Sequence, residues 1–248
     1  MDDKLKKIND IIKVVESPFD RALSEILVEY ENKRKENEIW KKENLSEINL
    51  MVKNYNECKS GAEDQHVDPP SSNPDYIQAY HEYQNLVYID DILEEEVMAL
   101  LEMQIIYSYK QVEIALKKFI LLFEPTGKDI KTYKWYQLKN KLKSLSVDVE
   151  ESLGYSSVNE LRLVNNSLKH SEKISKDVKK LKKKEFCNSD KFTPQSLALF
   201  HSNFIKNKVV FLNSIAHSVG LSLKLPLDDL SWFDTNRVYE EDKPNTPF

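Results

Sequence analysis

Apolar positions recur every three or four residues along most of this chain, and that spacing predicts helices almost throughout. Residues 3–16 place Leu5, Ile8, Ile11, Ile12 and Val15 on one face of a short helix. Ser17-Pro18, a capping residue followed by Pro at the first helical position, opens a long helix over about 18–57. Its first apolar face is Leu23, Ile26, Leu27 and Tyr30; its second is Ile39, Trp40, Leu45, Ile48, Met51, Val52 and Tyr55. Between them Glu31 to Glu38 is charged or amide on all sides, so the helix either projects into solvent there or breaks. Residues 1–58 are therefore expected to form an N-terminal helical arm or hairpin. Residues 59–75, rich in Gly, Ser, Asp and Pro, are expected to be a loop and the domain boundary.

The pattern resumes at Asn73-Pro74, with a short helix to about Leu86 that carries Tyr76, Ile77, Tyr80 and Tyr83 on one side. Asp90-Asp91 suits the start of another helix, running over about 91–123 to Pro125 and Gly127, with Met98, Leu101, Ile105, Tyr109, Val112, Leu116, Phe119 and Ile120 inward. A helix at about 131–144 buries Trp135, Leu138 and Leu142. Thr193-Pro194 caps a last long helix that ends at Gly220. Residues 76–225 are expected to make one helical bundle. The tail, 226–248, is expected to be extended and docked by Trp232 and Phe233.

The stretch Gly154 to Ser171 carries the most chemistry. Ser157 with Glu160 three residues on matches a capping box, and Val158, Leu161, Val164 and Leu168 would face a core. Arg162, Asn165, Asn166 and Lys169 recur on the other side, with His170 one turn after Asn166. Burying one unpaired amide costs roughly 1–3 kcal/mol, so such a strip is expected to face water, a polar interface or a ligand. A lysine-rich run follows, from Lys169 and Lys173 to Lys184, either as a solvated helix end or as a phosphate-attracting flap.

Composition narrows the reading. Only four glycines occur in 248 residues, too few for the turns of a many-stranded β protein, so the fold class is all-α. The net charge of −5 argues against an indiscriminate nucleic-acid coat, although a local basic face remains compatible with it. Cys58 and Cys187 have no metal-ligand spacing, and reduced thiols are favoured over a disulfide. His81-Glu82 does not continue into HExxH, and there is no P-loop, GxGxxG or GxSxG. Glu94, Glu95 and Glu96 point to different faces of a helix, so a solvated first turn is preferred over a metal site. His66 has no evident partner, and His201 and His217 are sixteen residues apart, too far for a ligand pair. Neither a metal nor a cofactor is expected. Charges interrupt the most apolar run, so no membrane span is expected. The opening residues lack a signal-peptide core, which points to the cytoplasm.

On NELRLVNNSLKH, preceded by IYSYKQVEIALKKFI and LKNKLKSL and followed by a last apolar helix, residues 89–220 resemble the HEPN superfamily. That resemblance implies a four- to five-helix bundle and, in many members, a metal-independent endoribonuclease with an Arg-x(4-6)-His motif on the third helix. Carried over, His170 would be the base or proton donor, and Arg162 and Asn165 would hold phosphate with Asn166, Lys169 and Lys173 beside them. The family's Arg position falls on Asn165, and seven residues separate Arg162 from His170. The resemblance further implies a homodimer acting on RNA, in stress or phage defence. The alternative is a non-catalytic helical dimerisation or interaction protein with the N-terminal arm as its partner surface.

Overall fold

Eight α-helices form in the computed structural model, which describes residues 3–13, 18–61, 69–125, 130, 133–170, 173–187 and 189–226. They are α1 (Asp3–Lys13), α2 (Pro18–Gly61), α3 (Pro74–Phe123), α4 (Trp135–Ser144), α5 (Tyr155–His170), α6 (Lys176–Lys180), α7 (Lys184–Cys187) and α8 (Pro194–Ser222). Pro18, Pro74 and Pro194 each begin a helix, where the missing N–H costs nothing. The all-α expectation holds: among the described residues there is no strand, only an isolated bridge between Lys173 and Lys191.

The chain divides into two compact units, Arg21–Leu100 and the described parts of Met1–Asp20 with Leu101–Phe248. That division differs from the one the sequence suggests. The expected linker at 59–75 lies inside the first unit, and α2 continues through its first residues to Gly61. The expected start at Asp90-Asp91 is instead the interior of α3, because no Gly or Pro interrupts Asp75 to Phe123.

The Arg21–Leu100 unit is an antiparallel helical hairpin with a regular seam. On α2 the buried or half-buried positions are Leu23, Leu27, Tyr30, Arg34, Asn37, Lys41, Asn44, Ile48, Met51 and Tyr55, with Val52 in addition. On α3 they are Tyr76, Ala79, Tyr83, Leu86, Asp90, Leu93, Val97 and Leu100, flanked by Val87 and Met98. Both series alternate steps of three and four, the spacing of a coiled-coil seam. Arg34 meets Glu94 at 3.9 Å and Lys41 meets Asp90 at 2.8 Å, so the partners run in opposite directions. The Asn37 amide donates to the Leu86 carbonyl at 2.8 Å. The polar middle of α2 thus neither breaks nor leaves the seam; it is the seam, with its polar groups paired across it.

The second unit holds the main core. α8 packs against α1, α5 and α7. Phe204, Phe211, Ile215 and Val219 on α8 are buried, as are Leu5, Ile8 and Ile11 on α1, Ile105, Val112, Leu116 and Phe119 on α3, and Leu138 and Leu142 on α4. α1 therefore belongs to the bundle rather than to an arm. Polar contacts cross the α3–α8 interface: Ser108 Oγ lies 3.2 Å from His201 Nε2, and Lys208 Nζ donates to Gln111 Oε1 at 2.7 Å. Expectations for Val15, His66, Trp232 and Phe233 fall outside the described residues.

Candidate nucleic-acid interface

α5 is placed by the turn before it. Gly154 has φ +75, and a Cβ there would lie 2.7 Å from the Asn207 carbonyl of α8, so only Gly admits both the backbone angle and the close approach. The Leu153 N–H donates to Ser214 Oγ at 3.1 Å, and the Tyr155 N–H to the Ser152 carbonyl at 3.1 Å. The helix begins at Tyr155, so Ser157 is inside it and the expected capping box does not form. Glu160 instead pairs with Lys183 at 2.9 Å.

Val158, Leu161 and Val164 are buried as expected, but so is Asn165, at 1% exposure. Its Nδ2 reaches Asn166 Oδ1 at 3.4 Å, and its own Oδ1 is buried with no hydrogen-bond partner. Asn165 therefore leaves the exposed strip, because the position one turn after Leu161 belongs to the inward face. Asn166, Lys169 and His170 are exposed. Arg162 is half-buried, and its Nε donates to Asn159 Oδ1 at 3.1 Å, back toward the start of the helix. Eight residues at about 1.5 Å each put Arg162 and His170 roughly 12 Å apart along the axis. The helix thus gathers Asn166, Lys169 and His170 at its exposed C-terminal end, turns Asn165 inward, and leaves Arg162 about one turn from Asn166 but about two from His170.

Arg162 lies near enough to Tyr109 of α3 to act on its hydroxyl. Tyr109 lies 6.1 Å, centroid to centroid, from Trp135, whose Nε1 is buried without a partner. Burial, with the nearby charge of Glu113, pushes the Tyr109 hydroxyl up to about 12 despite the opposing influence of Arg162. Burial also raises Glu113, but hydrogen bonds from Lys117 at 2.8 Å and Lys110 at 3.2 Å outweigh it and hold that carboxyl below its usual range.

The lysine-rich run does not continue α5. It folds into α6 and α7 because four apolar anchors, Ile174, Val178, Phe186 and Phe192, are buried at intervals along it. Phe186 packs against Phe192 and Phe200 at 5.6 and 5.4 Å between centroids. Ser167 ties the run to α5: its Oγ accepts from the Ser175 N–H at 2.9 Å and lies 3.5 Å from the Lys173 carbonyl. Ser175 in turn caps α6. Lys173 is exposed, its backbone bridged to Lys191. Residues 169–191 contain nine lysines against four acids, inside a chain of net charge −5. Lys179 pairs with Asp190, Lys180 with Asp177 and Lys183 with Glu160. Lys169, Lys176, Lys182, Lys184 and Lys191 are exposed outside those pairs.

Among the described residues, no group of three or more His, Cys, Asp or Glu side chains could hold a metal ion. Glu94, Glu95 and Glu96 are exposed in the middle of α3 rather than in a first turn. Cys58 and Cys187 are free and exposed. No described helix is long and apolar enough to cross a membrane. Comparison with protein-family models, with curated proteins and with solved structures returns no match.

Proposed function

We propose that the unit containing α5 is a HEPN-like bundle that binds RNA through its phosphates. The observation that carries this reading is the charge segregation. Nine lysines fall within residues 169–191: Lys169 beside His170 at the end of α5, and eight on the folded segment that follows. A polyanion is the ligand that such a surface attracts by counterion release. No aromatic residues alternate with the lysines on the exposed side, so recognition is of backbone rather than of base. The site is His170 with Lys169, Asn166 and Lys173; Arg162 is about one turn from Asn166 but about two from His170, and Asn165 is turned inward.

Whether binding leads to cleavage turns on charge at the reacting phosphate. His170 is accessible and of the right chemistry for a general base or acid near neutrality. The guanidinium that would stabilise the pentacoordinate state does not accompany it within one chain. A homodimer that brings a second α5 to the same phosphate would supply further cations. Stress or phage defence is the setting that the family resemblance suggests.

A second reading, a non-catalytic helical interaction protein, is favoured by the burial of Asn165 at the position where the family carries arginine. The experiment separating the two incubates purified protein with mixed RNA in chelator beside His170→Ala. Cleavage by the wild type that the variant loses supports the nuclease. Binding without cleavage by either protein supports an RNA-binding bundle alone. Absence of both, with intact folding, leaves the interaction protein.

A further inference from the structure

The hairpin carries a feature that the RNA reading does not use. Its outer surface has an indole where a solvated coil would carry a polar side chain: Trp40 is 56% exposed. Beside it lies an open groove of about 360 Å³, lined by Trp40, Glu43, Asn44, Glu82, Asn85 and Leu86. Trp40, Glu43 and Asn44 come from α2 and Glu82, Asn85 and Leu86 from α3, so the antiparallel pairing itself builds the groove. No basic residue lines it. Glu43 is exposed, and Glu82 is exposed and accepts a hydrogen bond from Gln78 Nε2 at 2.9 Å.

The composition of the whole unit points the same way. Between Arg21 and Leu100 there are eighteen acidic and eight basic residues. A surface with that excess repels RNA, and it repels a second copy of the same hairpin. What it attracts is positive. An indole face presents a negative quadrupole to a cation, and two carboxylates at its edge supply the counter-charge. Ile89 and Ile92, about one and two turns beyond Asn85 on α3, are also exposed and offer apolar contact area to a bound segment.

We propose that the Trp40 groove is a docking site for a basic amphipathic helix of a partner protein, a lysine or arginine of which lies on the Trp40 indole between Glu43 and Glu82. The apolar side of that helix covers Ile89 and Ile92. This surface is separate in residues and opposite in charge to the lysine segment near α5, so it serves a different ligand.

The test uses the full-length chain and isothermal titration with a synthetic 20-residue helical peptide of lysine and leucine arranged with one apolar face. The comparison peptide has the same composition scrambled to remove that face. The amphipathic peptide is expected to bind at 50 mM salt, to bind about tenfold more weakly at 500 mM, and to outbind the scrambled one. Trp40→Ala and the pair Glu43→Gln with Glu82→Gln are each expected to weaken it about tenfold while circular dichroism stays unchanged. All of these positions are exposed, so folding survives. Equal binding of the two peptides, or undiminished binding by Trp40→Ala, overturns the proposal. So does a dimer in sedimentation that Trp40→Ala dissolves, since the groove would then be covered by a second copy.

Discussion

Lys41 and Asp90 sit at seam positions of the hairpin, with side chains 16% and 18% exposed and 2.8 Å between their charged atoms. A seam of this spacing is most stable when apolar, so the pair is a device for register rather than for strength. Two perturbations separate these roles. Asp90→Ala leaves Lys41 in a half-buried site with Glu38 as its remaining partner, and Asn37 with the Leu86 carbonyl. Breaking a fully buried pair costs about 3–5 kcal/mol and an exposed one at most about 1. With this much solvent access and Glu38 still in place, about 1–2 kcal/mol is expected. Lys41→Leu with Asp90→Leu removes both charges and buries two aliphatic side chains, worth about 1.5–3 kcal/mol each when fully covered. Set against the lost pair, the double variant is expected to be about 1–2 kcal/mol more stable than the wild type.

Hydrogen exchange read by mass spectrometry on the full chain localises the effect. Peptides covering residues 30–50 and 80–97 should lose protection in Asp90→Ala and gain it in the double variant, while those from 101–226 stay unchanged. The pH dependence provides a sign check. Burial raises the Asp90 carboxyl, but the hydrogen bond and charge of Lys41, with Asn37 and Arg34, hold it below the usual carboxylate range. A carboxyl depressed in the folded state contributes stability that is complete above about pH 4 and lost as pH falls through the depressed value. The difference between wild type and Asp90→Ala should therefore be constant at neutral pH and shrink in stronger acid. If the double variant proves as unstable as the single one, the pair is a net source of stability and the seam argument fails.

Three other substitutions test the bundle. Gly154→Ala forces a side chain onto a φ of +75 and against the Asn207 carbonyl, and should cost about 2–3 kcal/mol in thermal or urea unfolding; a neutral result would mean that α5 can move off α8. Asn165→Leu replaces a buried amide whose Oδ1 has no partner, so it should be neutral or stabilising by about 1 kcal/mol with RNA binding intact, whereas a loss of RNA binding would place the amide at the phosphate. Thr193→Ala removes the side chain that accepts the Ser196 N–H at 3.2 Å and should lower stability by about 1 kcal/mol, measured by denaturant midpoint at constant slope.

The bundle helices were legible because their signals are local. Thr193-Pro194 marks the start of α8 in the sequence and in the fold, where the helix runs to Ser222, two residues past the expected Gly220. Apolar spacing finds the buried faces of α1, α4 and α5 for the same reason. The hairpin was not legible as a single unit. Its seam passes through Arg34, Asn37, Lys41 and Asn44, so hydrophobicity fades where the three-and-four spacing persists. Counting positions without regard to polarity would have exposed the repeat. Asp90-Asp91 imitates a helix start, yet the charge that favours a first turn also favours Lys41 across a seam. At α5, Ser157 and Glu160 have the cap spacing, but the tight turn at Gly154 starts the helix earlier and Glu160 turns to Lys183. Asn165 was misplaced because its polarity outweighed its position, which is on the inward face.

Salt dependence tests the proposed RNA contact and how many copies of the bundle would share one strand. Each phosphate neutralised on single-stranded nucleic acid contributes about −0.7 to the slope of log Kobs against log salt. Six exposed lysines line the proposed interface: Lys169, Lys173, Lys176, Lys182, Lys184 and Lys191. One copy that binds through them gives a slope no steeper than about −4.2. Lys179, Lys180 and Lys183 would each have to leave an acidic partner to add to it. Two copies around one strand double the limit to about −8.4. A slope well beyond about −4.2 for a monomer in sedimentation would mean that the contact lies elsewhere, and the α5 assignment would fall. The acidic hairpin makes the measurement sharper: it supplies no cation in excess, so a steep slope belongs to the bundle or to a second copy of it.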